Sequence, residues 1–331
     1  MSKAFGIFSG GLDSILSTLV LKKLGVEVTL LTFSTPFFGP EKAIESAATI
    51  GMTTRIVDIT DKHFEMMKKP RHGFGRNMNP CIDCHALMYR EAGQIMEREG
   101  GDFLFSGEVL AQRPKSQNRR ALDIVAGESG YGDKILRPLS AKALPPTRME
   151  IENLVDRERL LGLTGRTRKP QIELAARFGV ANFPAPAGGC LLTDPNYSRR
   201  LKELATAAGE LIVRDVELLK WGRHFRLPGF GKIVVGRDRL ENEAIERLAG
   251  PDDLLFKVAE APGPSVLAPY AGLLSDAARA GDGFQLAAAI AVSYSDAADD
   301  RAWRVRVIGS GPELSVSSGG LPKNDFARLM I

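Results

Sequence analysis

The sequence predicts an α/β fold, an open parallel sheet with helices on both faces, followed by a smaller C-terminal α+β domain. Three observations carry this. Short apolar runs alternate with helical stretches over the first half of the chain. The runs are apolar almost throughout, as strands covered on both faces must be. After about Leu136 the alternation weakens, and a stretch dense in Pro and Gly, FPAPAGGCLLTDP from Phe183 to Pro195, separates the halves.

The elements follow in order. Ala4 to Phe8 reads as a short buried strand. Asp13 to Leu24 has helical spacing and stops at Gly25, a natural C-cap. Val26–Phe33 and Thr53–Ile59 are expected strands, with a helix over Glu41–Ile50 between them that ends at Gly51. Ala86–Glu99 predicts a helix closed by Gly100-Gly101, and Asp102–Ser106 a fourth strand. Helices are expected over Met149–Leu160 and Lys169–Phe178. Beyond the boundary, Tyr197–Ala208 predicts a helix; Leu211–Leu219, Lys232–Gly236 and Leu254–Val258 predict strands. Ala271–Ala280 is Ala-rich and helical, Phe284–Tyr294 fits helix or strand, and Trp303–Ile308 is a last strand. The expected organisation is residues 1–145 as a nucleotide-binding sheet domain, 146–195 as a helical extension, and 196–331 as the α+β domain.

At 331 residues the chain is long enough for two domains. Its formal net charge of +4 is too small to imply nucleic acid by itself, so clustering matters more. No apolar stretch approaches the roughly 20 residues of a membrane span. The first residues, MSKAFGIFSGG, lack a signal-peptide pattern, so a cytoplasmic location without membrane partners is expected. There are three cysteines, Cys81, Cys84 and Cys190; an odd count in a reducing compartment argues against a disulfide framework.

The first strand runs into FSGGLDS, Phe8 to Ser14. In an open parallel sheet, ligands sit at the strand C-termini. Gly10 and Gly11 permit a sharp turn and close approach of a ligand. The amides that follow stand at a helix N-terminus, where the dipole favours an anion. Ser9 and Ser14 add hydroxyls, and Asp13 is expected to cap the helix or hold Mg²⁺ beside phosphates. The Walker pattern and the Rossmann G-x-G-x-x-G are both absent. The string S-G-G-x-D-S after a first strand resembles the pyrophosphatase loop of the PP-loop ATPases, the adenine nucleotide alpha hydrolases of HUP type. That resemblance implies ATP, split to AMP and pyrophosphate, at Phe8, Ser9, Gly10, Gly11, Asp13 and Ser14. Phe33, Gly107 and Gln112 are expected to line the same site.

Every cysteine lies in one of two places, NPCIDCH (Asn79–His85) or AGGCLLTD (Ala187–Asp194). Cys81 and Cys84 are close enough in sequence to share a metal, and Cys190 would make a three-thiolate site with one position open. A zinc site that adds His85, a Cys81–Cys84 redox pair with Cys190 as persulfide carrier, and inert buried thiols remain alternatives. C-x-x-C-H is also the haem-attachment string, but that chemistry needs export. SGEVLAQRPKSQ (Ser106–Gln117) is similar to the segment after the fourth strand of tRNA 4-thiouridine synthases, and ILRPLSAK (Ile135–Lys142) resembles their next motif. Together with the late Gly-Gly-Cys, this looks like a tRNA-thiolating PP-loop protein. In some such enzymes three cysteines hold a [4Fe-4S] cluster that carries sulfur, which implies catalytic roles for Asp13, Cys81, Cys84 and Cys190. The resemblance covers roughly residues 1–195. The THUMP region and rhodanese-like tail of some members are not recognisable, which leaves open the target nucleotide and the sulfur donor: a cysteine desulfurase, a persulfide carrier or sulfide.

Phe230–Val258 is similar to the RNA-associated domain of NFACT-type proteins. Basic residues cluster around the rim loops and beyond, and Arg113, Lys115, Arg119, Arg120, Arg199 and Arg200 are the expected RNA contacts. The function expected is ATP-dependent tRNA sulfur transfer. Its rivals are a PP-loop amidating or nitrile-forming ligase with structural zinc, and a non-catalytic ATP- and RNA-binding module.

Overall fold

The computed structural model describes residues 2–185, 189–208, 210–279, 281–297 and 301–331. The Ala187-Gly188 part of the Gly-Gly-Cys turn, and Ala280, lie outside them. Two compact units form, Met1–Asp194 and Pro195–Ile331.

The first unit is built on five parallel strands: β1 (Lys3–Ile7), β2 (Glu27–Ser34), β3 (Thr54–Asp58), β4 (Phe103–Ser106) and β5 (Ile135–Leu136), in the order β3-β2-β1-β4-β5. Helices α1 (Leu12–Lys23), α2 (Glu41–Thr49), α3 (Thr60–Lys68), α4 (Cys81–Arg98), α5 (Arg119–Ser129), α6 (Arg148–Ile151) and α7 (Lys169–Arg177) connect and cover them. Alternation along the strands feeds two cores. Ala4, Phe103 and Phe105 face a cluster with Leu12, Leu16 and Ala175, whereas Phe5, Leu31 and Leu104 face one with Leu87, Tyr89 and Met96. Gly6 is required within β1 because a Cβ there would lie 2.3 Å from the Phe105 ring.

The strand order reverses between β1 and β4, which pair in parallel with Ile7 opposite Ser106. The two strands therefore end level, and the loops after them share the crevice in which doubly wound folds bind ligands.

The second unit contains α8 (Pro195–Ala208), α9 (Val213–Leu218), β6 (Arg223–Leu227), β7 (Gly231–Val235), α10 (Arg239–Arg247), β8 (Leu254–Val258), β9 (Val266–Ala268), α11 (Asp276–Arg279), α12 (Asp282–Ser293), β10 (Trp303–Ile308), β11 (Leu314–Ser318) and α13 (Lys323–Ala327). Its antiparallel sheet runs β11-β10-β8-β9-β7-β6. Phe284, Ala287, Ala288 and Ala291 of α12 pack on one face with Phe225 and Phe256, and Leu218 and Ile245 cover Val234 and Leu267 on the other. Among the described residues no helix is long and apolar enough to cross a membrane.

Four expectations need correction. Leu211–Leu219 is no strand: α9 forms there, burying Val216 and Leu219, three residues apart, while Ile212 and Val213 stay exposed. Met149–Leu160 is broken after α6, where Asn153 takes a left-handed conformation (φ 57°). Ala271–Ala280 is cut into a single 3₁₀ turn and the short α11. Gly272 N donates to Asp252 O (2.8 Å), which ties this turn to a distant backbone instead of a continuous helix. Finally, α4 begins at Cys81 rather than Ala86, its first turn closed by Cys84 N donating to Pro80 O (2.9 Å). Phe284–Tyr294 resolves as helix.

Gly107 fixes how closely the two crevice loops approach. A Cβ on it would lie 2.4–2.5 Å from the backbone of Asp13 and Ser14. Gly107→Ala is expected to destabilise the chain by about 2 kcal/mol or more through this backbone clash. Thermal or denaturant unfolding of the variant checks it; an unchanged midpoint would show that the loops are not in tight contact.

Candidate functional site

The loop between β1 and α1 is held from below. Phe8 N donates to Leu31 O (2.8 Å), and the Thr32 and Ser46 hydroxyls donate to Phe8 O (2.9 Å) and Gly10 O (2.8 Å). Gly10 has φ 70°, and a Cβ on it would lie 2.5 Å from Lys42 O. Gly11 has ordinary extended dihedrals, and an added Cβ would meet only Ser9 Oγ, at 3.5 Å. So Gly10 is glycine for the fold, while the space over Gly11 is open. No side chain caps α1, so its first amides lack the partner that a cap would supply. Ser9 is exposed beside them.

Other expected ATP contacts are placed differently. The side chains of Phe8 and Phe33 are buried in the two cores, leaving only their backbone for a ligand. Ser14 is buried, and its hydroxyl donates to Gly11 O (2.7 Å) rather than outward. Asp13 does not cap α1. Gln112 Nε2 donates to its Oδ2 (2.7 Å), and Gln171 Nε2 donates to Gln112 Oε1 (2.8 Å). Gln112 thus ties the β4 loop to α1 through Asp13, while Asp13 Oδ1 is buried without a partner. Burial pushes the Asp13 carboxyl above its ordinary value, with the Gln112 bond, Arg168 and Arg113 pulling the other way.

The residue that sequence reasoning passed over is Glu108. It is buried just past β4, next to Gly107. Arg137 Nε donates to its Oε2 (2.9 Å), as does Tyr89 OH (2.8 Å), and His85 Nδ1 lies 3.1 Å from Oε1. The Ser106 hydroxyl is 2.6 Å from the Tyr89 oxygen. Burial by itself would raise the Glu108 carboxyl. The Arg137 guanidinium, then His85 and Tyr89, outweigh it and hold the group well below the carboxylate range. Glu108 and Arg137 fall in the two quoted motifs, SGEVLAQ and ILRPLSAK. Two opposite charges at matching strand ends were the available signal.

His85 follows Cys84, so this network fixes the N-terminal turn of α4. Cys81 accepts a hydrogen bond from Asn79 Nδ2 (3.2 Å). The segment with Cys190 is fastened to the same unit: Leu191 N donates to Phe37 O (2.9 Å), and Asn77 Nδ2 to Thr193 O (2.7 Å). Phe37 in turn packs against the rings of His63 and Phe64. Burial there lowers the His63 pKa to about 4, which keeps this support neutral. All three thiols are half-buried and free. Burial, then the charges of Cys190 and Cys81, raises Cys84 far above an ordinary thiol. Burial, with a smaller push from Cys81, brings Cys190 up to about 11. The three are therefore close enough to feel one another's charge. Among the described residues no three His, Cys, Asp or Glu side chains are gathered as around a single metal ion.

Of the expected RNA contacts, Arg113, Lys115 and Arg120 are exposed, and no hydrogen bond or ion pair engages their side chains among the described residues. Arg119 is exposed but pairs with Asp123 (2.9 Å), and Arg199 contacts Asn196 Oδ1 (3.2 Å). The Arg200 guanidinium donates to Leu219 O (3.0 Å) and Gly222 O (3.2 Å), holding α8 to the segment after α9.

Comparison with known proteins matches the two units separately. Residues 1–144 match the family model described as thiamine biosynthesis protein (ThiI), and residues 222–320 match the NFACT protein RNA binding domain. A probable tRNA sulfurtransferase of Methanothermobacter thermautotrophicus is 28% identical over 162 residues, covering 47% of this chain and 40% of that relative. The match thus spans less than half the length of that relative. A 4-thiouridine synthetase–RNA complex with bound ATP is 19% identical, with a TM-score of 0.39, over 66% of this chain and 52% of the other. The C-terminal part of a fibronectin/fibrinogen-binding protein from Streptococcus suis is 15% identical, with a TM-score of 0.28, over 82% of this chain and 98% of the other. The chain resembles tRNA-thiolating PP-loop proteins in its first unit and an RNA-binding domain in its second.

Removing the Glu108 charge leaves Arg137 buried and unpaired. Glu108→Gln is expected to cost about 3–5 kcal/mol in the parent's stability. The carboxyl is depressed in the fold, so its contribution is present above the ordinary carboxylate pKa and is lost as pH falls from there toward the depressed value. Unfolding midpoints at neutral and acid pH check this; the gap between parent and variant should narrow on acidification.

Proposed function

We propose that the chain is an ATP-dependent tRNA sulfurtransferase. It would adenylate a uridine carbonyl oxygen, release pyrophosphate, and let sulfur displace AMP. The observation that supports this most directly is the co-location, at one rim of the parallel sheet, of an uncapped α1 N-terminus behind an open Gly11 and an α4 that opens with Cys81 and Cys84. One motif alone would fit many reactions; the two together suit activation followed by sulfur transfer.

In this reading the free amides of α1 and the exposed Ser9 receive the phosphates that leave. Asp13 fits Mg²⁺: its Oδ1 is a buried oxygen without a partner, while Gln112 holds the other oxygen in place. Loss of the carbonyl oxygen as AMP makes a poor leaving group a good one, and the chain's share is to position reactants and neutralise charge.

Cys81, Cys84 and Cys190 fit an iron–sulfur group. Burial raises Cys84 and Cys190 above an ordinary thiol, and a bound cation at the site would favour their thiolate forms. Three thiolate donors that leave one position open suit such a group. A [4Fe-4S] cluster bound there would carry a sulfur delivered by a separate donor and present it to the activated carbon. Asn79 and the Glu108–His85 contact hold the α4 thiols in place. The exposed Arg113, Lys115 and Arg120 suit a phosphate backbone laid near the rim.

Two sets of variants test this. Gly11→Val should leave the melting temperature nearly unchanged, because the added carbons enter open space, yet abolish pyrophosphate release. Asp13→Asn should keep or raise stability. Its carboxyl is raised in the fold, so the charged form costs stability as pH climbs through that raised value. It too should lose turnover. Normal pyrophosphate release in both variants would sink the ATP assignment. Anaerobically purified protein should contain iron and sulfide, and each Cys→Ser variant should lose both, together with thiolated nucleosides in digested tRNA, while still binding ATP. Stoichiometric zinc with no iron would favour a ligase with a structural site.

A further inference from the structure

The segment between α3 and α4 has a tip, Gly73-Phe74-Gly75, that no core requires. Phe74 is 41% exposed. A single exposed aromatic is ordinary on a protein surface. This one is set apart by how it is mounted. On one side, the Asp83 carboxylate accepts hydrogen bonds from the amides of Arg71 (2.9 Å) and His72 (3.1 Å), and Arg71 pairs with Glu128 of α5 (2.7 Å). On the other, Gly75 N donates to Asn79 O (2.9 Å), and Asn77 N donates to Asn79 Oδ1 (3.1 Å). Gly75 has no space for a side chain, since a Cβ would lie 2.6 Å from Asn79 Nδ2.

The same mounting reaches both cysteine segments. Asn79 also bonds Cys81 Sγ, and Asn77 Nδ2 bonds Thr193 O, three residues past Cys190. The backbone on both sides of Phe74 is thus held by a loop fastened at the cysteine segments, and the ring stays part-exposed there. Arg76, two residues on, is exposed, and no hydrogen bond or ion pair engages its side chain among the described residues. An exposed flat apolar face on a fastened loop, accompanied by an exposed cation, is what a nucleobase and its phosphate recognise in an unpaired strand.

We propose that Phe74 is a stacking platform for a base of the RNA substrate beside the cysteine site, with Arg76 on an adjoining phosphate. This rests on the tRNA reading above and adds to it the place where the strand is gripped. A uridine presented for chemistry must leave its stack. The ring then replaces a stacking partner lost by the target or its neighbour.

The test uses the full chain and an unmodified tRNA transcript, with affinity followed by fluorescence anisotropy across a salt series. Phe74→Ala should fold and melt as the parent does and bind tRNA about tenfold more weakly, with the salt dependence unchanged because stacking displaces no counterions. Arg76→Glu should weaken binding and flatten the salt slope. Phe74→Trp should keep the affinity, and its emission, corrected for the parent's Trp221 and Trp303, should be quenched by tRNA. Tight binding by the parent that Phe74→Ala leaves unchanged overturns this proposal alone, as does an indole signal from the Phe74→Trp variant that ignores RNA. A Phe74→Ala chain that binds tRNA normally but no longer accepts sulfur from a persulfide-bearing protein also overturns it, making the loop a protein dock. If the parent itself has no affinity for tRNA, the functional reading falls and the platform with it.

Discussion

The buried carboxylate of Glu108 joins the pieces on which the first unit's site depends. It takes bonds from Arg137 after β5 and from His85 and Tyr89 of α4, and it sits at the end of β4 next to the glycine that touches α1. A carboxylate without partners at such depth would carry a desolvation penalty of several kcal/mol. Here the partners come from α4 and from the segment after β5, so satisfying the charge fixes those elements relative to the end of β4. The N-terminal turn of α4, with Cys81 and Cys84, is held by the same charge that closes the rim around the β1 loop. The ion pair's worth is therefore in specifying geometry more than in net stability.

Around this anchor the rim separates structural from chemical groups. Gly10, Gly107 and Gln112 bring backbones and a carboxylate together, whereas Gly11, Ser9 and the first amides of α1 are left to a ligand. The Asp13 carboxyl and the Cys84 and Cys190 thiols have a feature in common: burial makes negative charge there cost free energy in the protein alone. Cations at both places would relieve that cost, so loading the site and stabilising the fold are linked.

Positive charge is distributed with the same division. Arg119, Arg226, Arg237 and Arg239 are paired with acids, Lys232 is buried against Glu203, and Arg200 holds carbonyls. Among the described residues, Arg76 before α4, Arg113 and Lys115 after β4 and Arg120 at the start of α5 are exposed with no hydrogen bond or ion pair on their side chains. A net charge of +4 conceals this, because pairing neutralises most of the clusters that the sequence displays.

The sequence by itself determined the parallel sheet and the position of the glycine loop behind its first strand. Apolar runs at regular spacing and a glycine turn behind the first strand are local features, and local features survive without coordinates. Short strands such as β5 and β9, of two and three residues, carry no period to detect. Helix α9 was misread because Val and Leu suit either state until burial selects a face. Tertiary structure alone decided that Phe8, Phe33 and Ser14 turn inward, that Arg200 holds two carbonyls, and that Glu108 is the hub. Each of those outcomes depends on what stands across the chain from the residue: Arg137 is 29 positions from Glu108, and Gln112 is 99 from Asp13. Composition and spacing record what a side chain offers, but the partner that accepts it is chosen by the fold.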